Sequence, residues 1–76
     1  MTIERAFGRA VRTRREKKGL SQEAFADQAG IHRTYVSAIE PGKVGVSIGI
    51  AHKLALTLGI PLSKLWLEVE RNLNAE

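Results

Sequence analysis

Residues 21–43, SQEAFADQAGIHRTYVSAIEPGK, decide the fold of this chain. Ser21 is a good N-cap for a short helix, and Gly30 can end that helix because glycine adopts the left-handed conformation at little cost. A second short helix is predicted over residues 32–39, bounded by Pro41 because the residue before a proline disfavours helical geometry. The segment therefore predicts two short helices joined by a tight glycine turn.

The second helix of this segment has two unlike faces when it is wound at about 100° per residue. Val36 and Ile39 share one face with His32, and this face is predicted to turn toward the core. The opposite arc carries small side chains and one long cation, namely Arg33, Thr34, Ser37 and Ala38. Arginine can bond the O6 and N7 atoms of guanine, and serine or threonine can contact bases or phosphates. The arc holds no acid that phosphate would repel, so the pattern indicates a helix that enters a DNA groove.

Three further helices are expected, at about residues 3–18, 47–58 and 61–71, and no strand is convincing. Gly19 suits the end of the first of these helices, and Ser47 suits the start of the second. The predicted apolar positions of the helix at 47–58 are Ile48, Ala51, Leu54, Ala55 and Leu58. Residues 72–76 are predicted to be frayed.

The chain has 76 residues and no cysteine, so it is expected to form one small domain, residues 1–76, without a disulfide. His32 and His52 are the only good zinc ligands left, and we expect no metal and no cofactor. The sequence has no apolar run long enough to predict a membrane span, and no pattern that predicts a signal peptide. We therefore expect a cytoplasmic protein.

The positive charge is concentrated at the N-terminal end. The net charge is +4, yet residues 1–18 hold seven basic and two acidic residues, whereas residues 19–76 hold five basic and six acidic ones. A basic block on a small domain is typical of a protein that binds polyanions. A solvated helix face that keeps the protein in solution explains the same charges. Charge alone leaves both interpretations open.

The segment resembles the helix-turn-helix of phage-repressor-like (Cro/repressor-type, Xre) transcriptional regulators. The residues that carry the resemblance are Gln22, Ala26, Gly30, Val36, Ile39, Glu40 and Gly42, with Gly19-Leu20-Ser21 upstream and Leu58-Gly59-Ile60 downstream. The resemblance covers nearly the whole chain. It implies an all-α, five-helix, lambda-repressor-like DNA-binding domain with the helix-turn-helix motif at helices 2 and 3, about residues 21–40. Within this family, RTYVSAIEPGK most resembles the short controller proteins of restriction–modification systems and similar stand-alone regulators, which implies a bacterial or phage origin.

The resemblance also implies roles for individual side chains. The base-reading positions are Arg33, Thr34, Ser37 and Ala38, and the phosphate-binding positions are Gln22, Tyr35 and Lys43. Arg15 and Glu40 match a pair that locks the first helix to the recognition helix. Pro41, Val44 and Gly45 depart from the family, which often has phosphate-binding residues there. Affinity for the DNA backbone is therefore expected to shift toward Lys43 and the first helix.

The fifth helix has more apolar positions than one buried stripe needs, since Leu62, Leu65, Trp66, Leu67, Val69 and Leu73 cover a wider arc. An apolar stripe that stays partly exposed indicates an interface. We therefore predict a homodimer through Leu62, Leu65, Trp66 and Val69, with the C-terminal helices at about 47–71 serving the core and dimerisation. A core role is the alternative for Trp66.

Two functions remain open at this stage. The first is a sequence-specific regulator of transcription that binds double-stranded DNA as a homodimer on an inverted repeat, with residues 32–39 in the major groove. The second is a protein-interaction module, such as the antitoxin of a toxin–antitoxin pair; binding to structured RNA is a weaker third. A contact with RNA polymerase or with a toxin is left open. No catalytic set of side chains is present, so an enzyme is not expected.

Overall fold

The computed structural model describes residues 1–75, which form five helices and no strand. The helices are α1 (Ile3–Lys17), α2 (Gln22–Ala29), α3 (Arg33–Ile39), α4 (Ile48–Leu58) and α5 (Leu62–Asn74). The all-α prediction and the order of the five helices are confirmed. None of the helices in this range is long and apolar enough to span a bilayer.

The helix ends follow the local sequence. Ser21 and Ser47 cap α2 and α4, and each side chain accepts a hydrogen bond from the backbone N–H three residues later. Gly30 and Gly59 end the same two helices at φ of 70° and 75°, where a side chain would be strained. These signals lie within a few residues of one another in the sequence, which is why the sequence predicts them well.

Four helix ends differ from the prediction, and at two of them Lys18 is the C-cap of α1 and Pro61 is the N-cap of α5. His32 is the N-cap of α3 rather than its first residue, and its exposed ring accepts a hydrogen bond at Nδ1 from the Thr34 backbone N–H, so it does not share the core face. Helix α5 continues to Asn74 instead of fraying after residue 71. Asn72 Nδ2 donates a hydrogen bond of 3.0 Å to the carbonyl oxygen of Ala6 in α1, which ties down this last turn. Glu76 lies outside the described residues.

The core forms where all five helices meet. Its largest fully buried side chains are Val11, Phe25, Val36, Ile39, Leu54, Leu65 and Val69. Leu65 and Val69 are 0% exposed, because α5 packs along α1 and over α4 and directs these two side chains inward. They present no surface to a second chain, which corrects their predicted place in a dimer interface.

Part of the apolar sequence stays outside this core. Ile48 is 83% exposed and Trp66 is 40% exposed, so the apolar position of Ile48 on α4 lies outside the core. Two adjoining grooves, of about 250 and 590 Å³, are both bordered by Ile48, Ala51 and Trp66. We call the partly or largely exposed apolar side chains around them the apolar face: Ile3, Val44, Ile48, Leu62 and Trp66.

Helix α1 crosses the C-terminal end of α3 at backbone contact. A Cβ atom on Gly8 would overlap the carbonyl oxygens of Ile39 and Glu40, so only glycine fits there without a shift of one helix. A Cβ atom on Gly42, where φ is 81°, would likewise overlap Arg5. These two glycines fix the distance between α1 and the end of the motif.

Candidate nucleic-acid interface

Helix α3 divides into a buried and an outward side. Val36 and Ile39 are each 1% exposed and anchor the inner side. The four residues predicted to read bases lie on the other side: Arg33 and Thr34 are exposed, and Ser37 and Ala38 are half-buried. The outer side of α3 therefore carries one cation and three small side chains, and a close approach to another surface is sterically open.

A buried ion pair fastens the end of α3 to α1. Arg15 Nε donates to Glu40 Oε2 at 2.7 Å and Nη2 donates to Oε1 at 3.0 Å, while Nη1 donates to the carbonyl oxygen of Leu20 at 2.7 Å. Arg15 is 8% exposed and Glu40 is 6% exposed. The hydrogen bond to Glu40 raises the pKa of Arg15 despite the opposing effect of burial, so the guanidinium stays charged. The pair that the resemblance implied is thus present, and its role is structural.

Gln22 extends this ion pair to the outer side of α3. Its Nε2 donates to Glu40 Oε1 at 2.9 Å, and its Oε1 accepts a hydrogen bond of 2.8 Å from Ser37 Oγ. We call the connected side chains of Arg15, Glu40, Gln22 and Ser37 the polar relay. Two predicted site residues, Gln22 and Ser37, are therefore held by each other, a link that the sequence did not reveal. The Gln22 amide carries a second N–H besides the one that bonds Glu40.

The remaining predicted phosphate ligands flank the outer side of α3. Tyr35 is half-buried and packs against the core, and Lys43 is exposed in the loop after the helix. The Lys43 backbone N–H donates to the carbonyl oxygen of Ala38 at 3.0 Å, which holds this loop against α3. Pro41 is exposed and offers no N–H to a phosphate.

Apart from Arg15, the arginines of α1 lie in two places. Arg14 is bound to Glu68 of α5, with 2.7 Å between Nη2 and Oε1, and this hydrogen-bonded contact raises its pKa. Arg12 donates from Nε to Glu16 Oε2 at 3.2 Å, and with Arg5 and Arg9 it lines a shallow pocket of about 280 Å³ together with Met1, Glu40 and Pro41. This arginine row therefore borders the C-terminal end of the helix-turn-helix, a location that the sequence did not specify.

Nothing in residues 1–75 brings three or more His, Cys, Asp or Glu side chains together as a metal site. His32 acts as a helix cap, and its Nδ1 atom lies 2.7 Å from Thr34 Oγ1. The chemistry available on the outer side of α3 is hydrogen bonding and cationic attraction, which suits recognition of base edges and phosphates.

The helix-turn-helix family matches residues 11–65 of the chain, which include all of α2, α3 and α4. The chain belongs to the helix-turn-helix family. It is a DNA-binding regulator of transcription, and the family resemblance seen in the sequence is confirmed.

Individual relatives of this helix-turn-helix protein agree with that assignment. It is 44% identical over 70 residues to control protein C.MunI of Mycoplasma sp, covering 91% of this chain and 95% of that protein. It is 40% identical to the crystallised restriction-modification controller protein C.AhdI of Aeromonas hydrophila, with a TM-score of 0.79, covering 82% and 94% of the two chains. These relatives are regulators rather than enzymes, as expected for this chain.

The fold extends to a more distant regulator. The structure of the clp gene regulator ClgR from Corynebacterium glutamicum superimposes with a TM-score of 0.94 at 23% identity, covering 99% of this helix-turn-helix chain and 80% of that one. At this identity the likeness concerns the fold alone.

Proposed function

We propose that the protein is a controller-type regulator that binds an inverted-repeat operator as a homodimer, with α3 in the major groove of each half-site. The outer side of α3 carries this proposal, because exposed Arg33 and small neighbours cover a helix whose inner side is buried. The similarity to control proteins supports a role in the expression of restriction–modification genes. The regulator would act in the cytoplasm of a bacterium or on phage DNA.

Each predicted contact has a chemical counterpart in the groove. Arg33 suits guanine, whose O6 and N7 atoms accept two hydrogen bonds from one guanidinium. Thr34, Ser37 and Ala38 are short enough to let the helix approach the base edges. Lys43, Tyr35 and the second N–H of Gln22 would bind backbone phosphates, with the N-terminal amides of α2 beside Gln22.

The arginine row supplies a further source of affinity for the DNA backbone. Arg5, Arg9 and Arg12 border Pro41, where a polar ligand is absent. Cations that neutralise phosphates release counterions, so they strengthen binding and make it dependent on salt. We propose that the row compensates for the apolar loop at residues 44–46.

The apolar face is the proposed dimer interface. It consists of Ile3, Val44, Ile48, Leu62 and Trp66, and an exposed apolar patch of this kind marks an interaction site. A symmetric dimer would bury the patch against its own copy. The protomer measures 31 × 23 × 23 Å, so two protomers in contact can set their recognition helices about 34 Å apart, one turn of DNA.

Selection of bound sequences from random duplex at stated salt tests the proposal. The expected product is an inverted repeat whose half-sites lie one helical turn apart, and sedimentation of the free protein should give a dimer. Failure to enrich any motif would overturn the proposal and favour the protein-interaction module. A single unrepeated site bound by one protomer would overturn the homodimer alone.

A further inference from the structure

We infer that Ser37 selects a base that offers an amino group in the major groove, either adenine through N6 or cytosine through N4. The inference rests on the proposed function, in which α3 lies in that groove. The polar relay carries it, because each hydrogen bond of the relay fixes the direction of the next one.

The relay starts at the buried ion pair. Glu40 receives two hydrogen bonds from Arg15, at 2.7 and 3.0 Å, and a carboxylate paired in this way can only accept. Gln22 approaches the same carboxylate at 2.9 Å. The atom of Gln22 that faces Glu40 must therefore be its nitrogen, because an oxygen there would meet a second acceptor.

The orientation of Gln22 then decides the orientation of Ser37. With Nε2 directed to Glu40, the other end of the amide is Oε1, which lies 2.8 Å from Ser37 Oγ. An amide oxygen only accepts, so Ser37 must donate its one hydroxyl proton to it. If the Ser37 hydroxyl turned away, Gln22 Oε1 would lose this partner. The amide cannot flip instead, because its oxygen would then face the Glu40 carboxylate, which is also an acceptor.

The Ser37 hydroxyl consequently faces the groove with its lone pairs. A serine that is free to rotate can donate or accept and so contacts any base. A serine that already donates can only accept from its second partner. In the major groove the base-edge donors are the N6 amino group of adenine and the N4 amino group of cytosine, whereas guanine and thymine offer acceptors.

The inference is tested on the operator that the wild-type protein selects. The position at which Ser37→Ala relaxes the base preference identifies the base opposite Ser37, and we expect adenine or cytosine there. That base is then replaced by purine for adenine, or by 2-pyrimidinone for cytosine, which removes only the amino group. Wild-type protein should lose about 2- to 12-fold in affinity, the range for one neutral hydrogen bond, and Ser37→Ala should lose nothing further.

Gln22→Ala tests the relay itself, because it leaves Ser37 free to rotate while retaining the Arg15–Glu40 pair. Its affinity for all sequences can fall together if Gln22 also binds a phosphate, so the readout is the ranking of the four bases opposite Ser37. We expect the affinity for operators with guanine or thymine at this position to rise relative to the affinity for operators with adenine or cytosine there. Far-UV circular dichroism checks that both variants keep the helical content of the wild type.

Four outcomes would overturn the inference. They are guanine or thymine selected opposite Ser37, no change of preference in Ser37→Ala, an equal loss on the base analogue in wild type and Ser37→Ala, and an unchanged base ranking in Gln22→Ala. In each of these cases the protein still selects an operator, so the proposed function stands. A wild-type protein that enriches no sequence overturns the proposed function and this inference with it.

Discussion

The proposed DNA-facing surface and the apolar face are held in place by different forces. Around α3, a buried ion pair and two further hydrogen bonds fix Gln22 and Ser37 before any ligand arrives. Around Trp66 and Ile48, side chains rest on the core with much of their surface still exposed. Polar contacts preorganise the first surface, whereas the second gains stability only when another surface covers it. Substitutions in the first should therefore change unfolding or DNA binding, and substitutions in the second should change self-association.

The largest effect is expected from Glu40→Ala, which leaves the Arg15 cation buried without its partner. Removal of one partner of a buried pair costs about 3–5 kcal/mol, so the midpoint of urea unfolding should fall sharply. Glu68→Ala is the matched control, because the Arg14 and Glu68 side chains keep 22% and 24% of their surface exposed and should lose less stability than the buried pair. Equal shifts in the two variants would mean that the relay does not hold the DNA-facing surface.

The apolar face should respond in its self-association. Ile48→Glu puts a charge in the centre of the proposed interface and is expected to weaken the dimer by about 2–4 kcal/mol, as for a hot-spot residue, with little effect on the fold because Ile48 is 83% exposed. Sedimentation over a concentration series measures the change. Leu67→Glu is the control, since Leu67 is also exposed but borders neither groove. A dimer that is weakened by Leu67→Glu and not by Ile48→Glu would place the interface elsewhere on α5.

Arg33→Ala should affect DNA recognition and leave both folding and self-association intact. The expected cost is about 1–3 kcal/mol in operator affinity, with relaxed preference at one base per half-site. The measurement is the ratio of the affinities for operator and for scrambled duplex, both determined at the same salt concentration. Arg71→Ala, an exposed arginine on α5, serves as the control and should leave that ratio unchanged. If Arg33→Ala keeps the wild-type ratio, its assigned role in base reading is wrong.

The smallest expected effect concerns the arginine row. In Arg9→Gln/Arg12→Gln, affinity for all duplexes should fall together, and the slope of log K against log salt should become shallower by about 0.9 for each phosphate that the variant no longer neutralises. The preference for operator over scrambled duplex should not change. If the slope equals that of Arg71→Gln, the arginine row does not contact the DNA backbone, and its charges belong to a solvated helix face.

Short-range features of this fold are well predicted from the sequence. Ser21, Gly30 and Ser47 act within one turn of chain, so the limits of α2 and α4 follow from local chemistry. The outer and inner sides of α3 follow from its period in the same way, although His32 leaves the helix and caps it. A capping residue and a first helical residue differ by one position, which periodicity does not resolve.

Long-range features are harder to predict. The apolar pattern of α5 contains both Leu65 and Trp66, and only the packing of α1 and α4 shows that the first is buried and the second is not. The bond between Gln22 and Ser37 joins residues 15 positions apart, and it requires the buried Glu40 beside them. Gly8 carries no signal in the sequence, because its role depends on carbonyl groups that lie more than 30 residues away.

Because α1 and α3 are in backbone contact at Gly8, we expect the two helices to move as one rigid body. No side chain separates Gly8 from the carbonyl groups of Ile39 and Glu40, and the Arg15–Glu40 pair fastens the same two helices about two turns further along α1. A tilt of α3 in the proposed complex with DNA would therefore carry α1 with it. A spectroscopic label at exposed Thr13 of α1 would then report the tilt of α3 in the proposed complex with DNA.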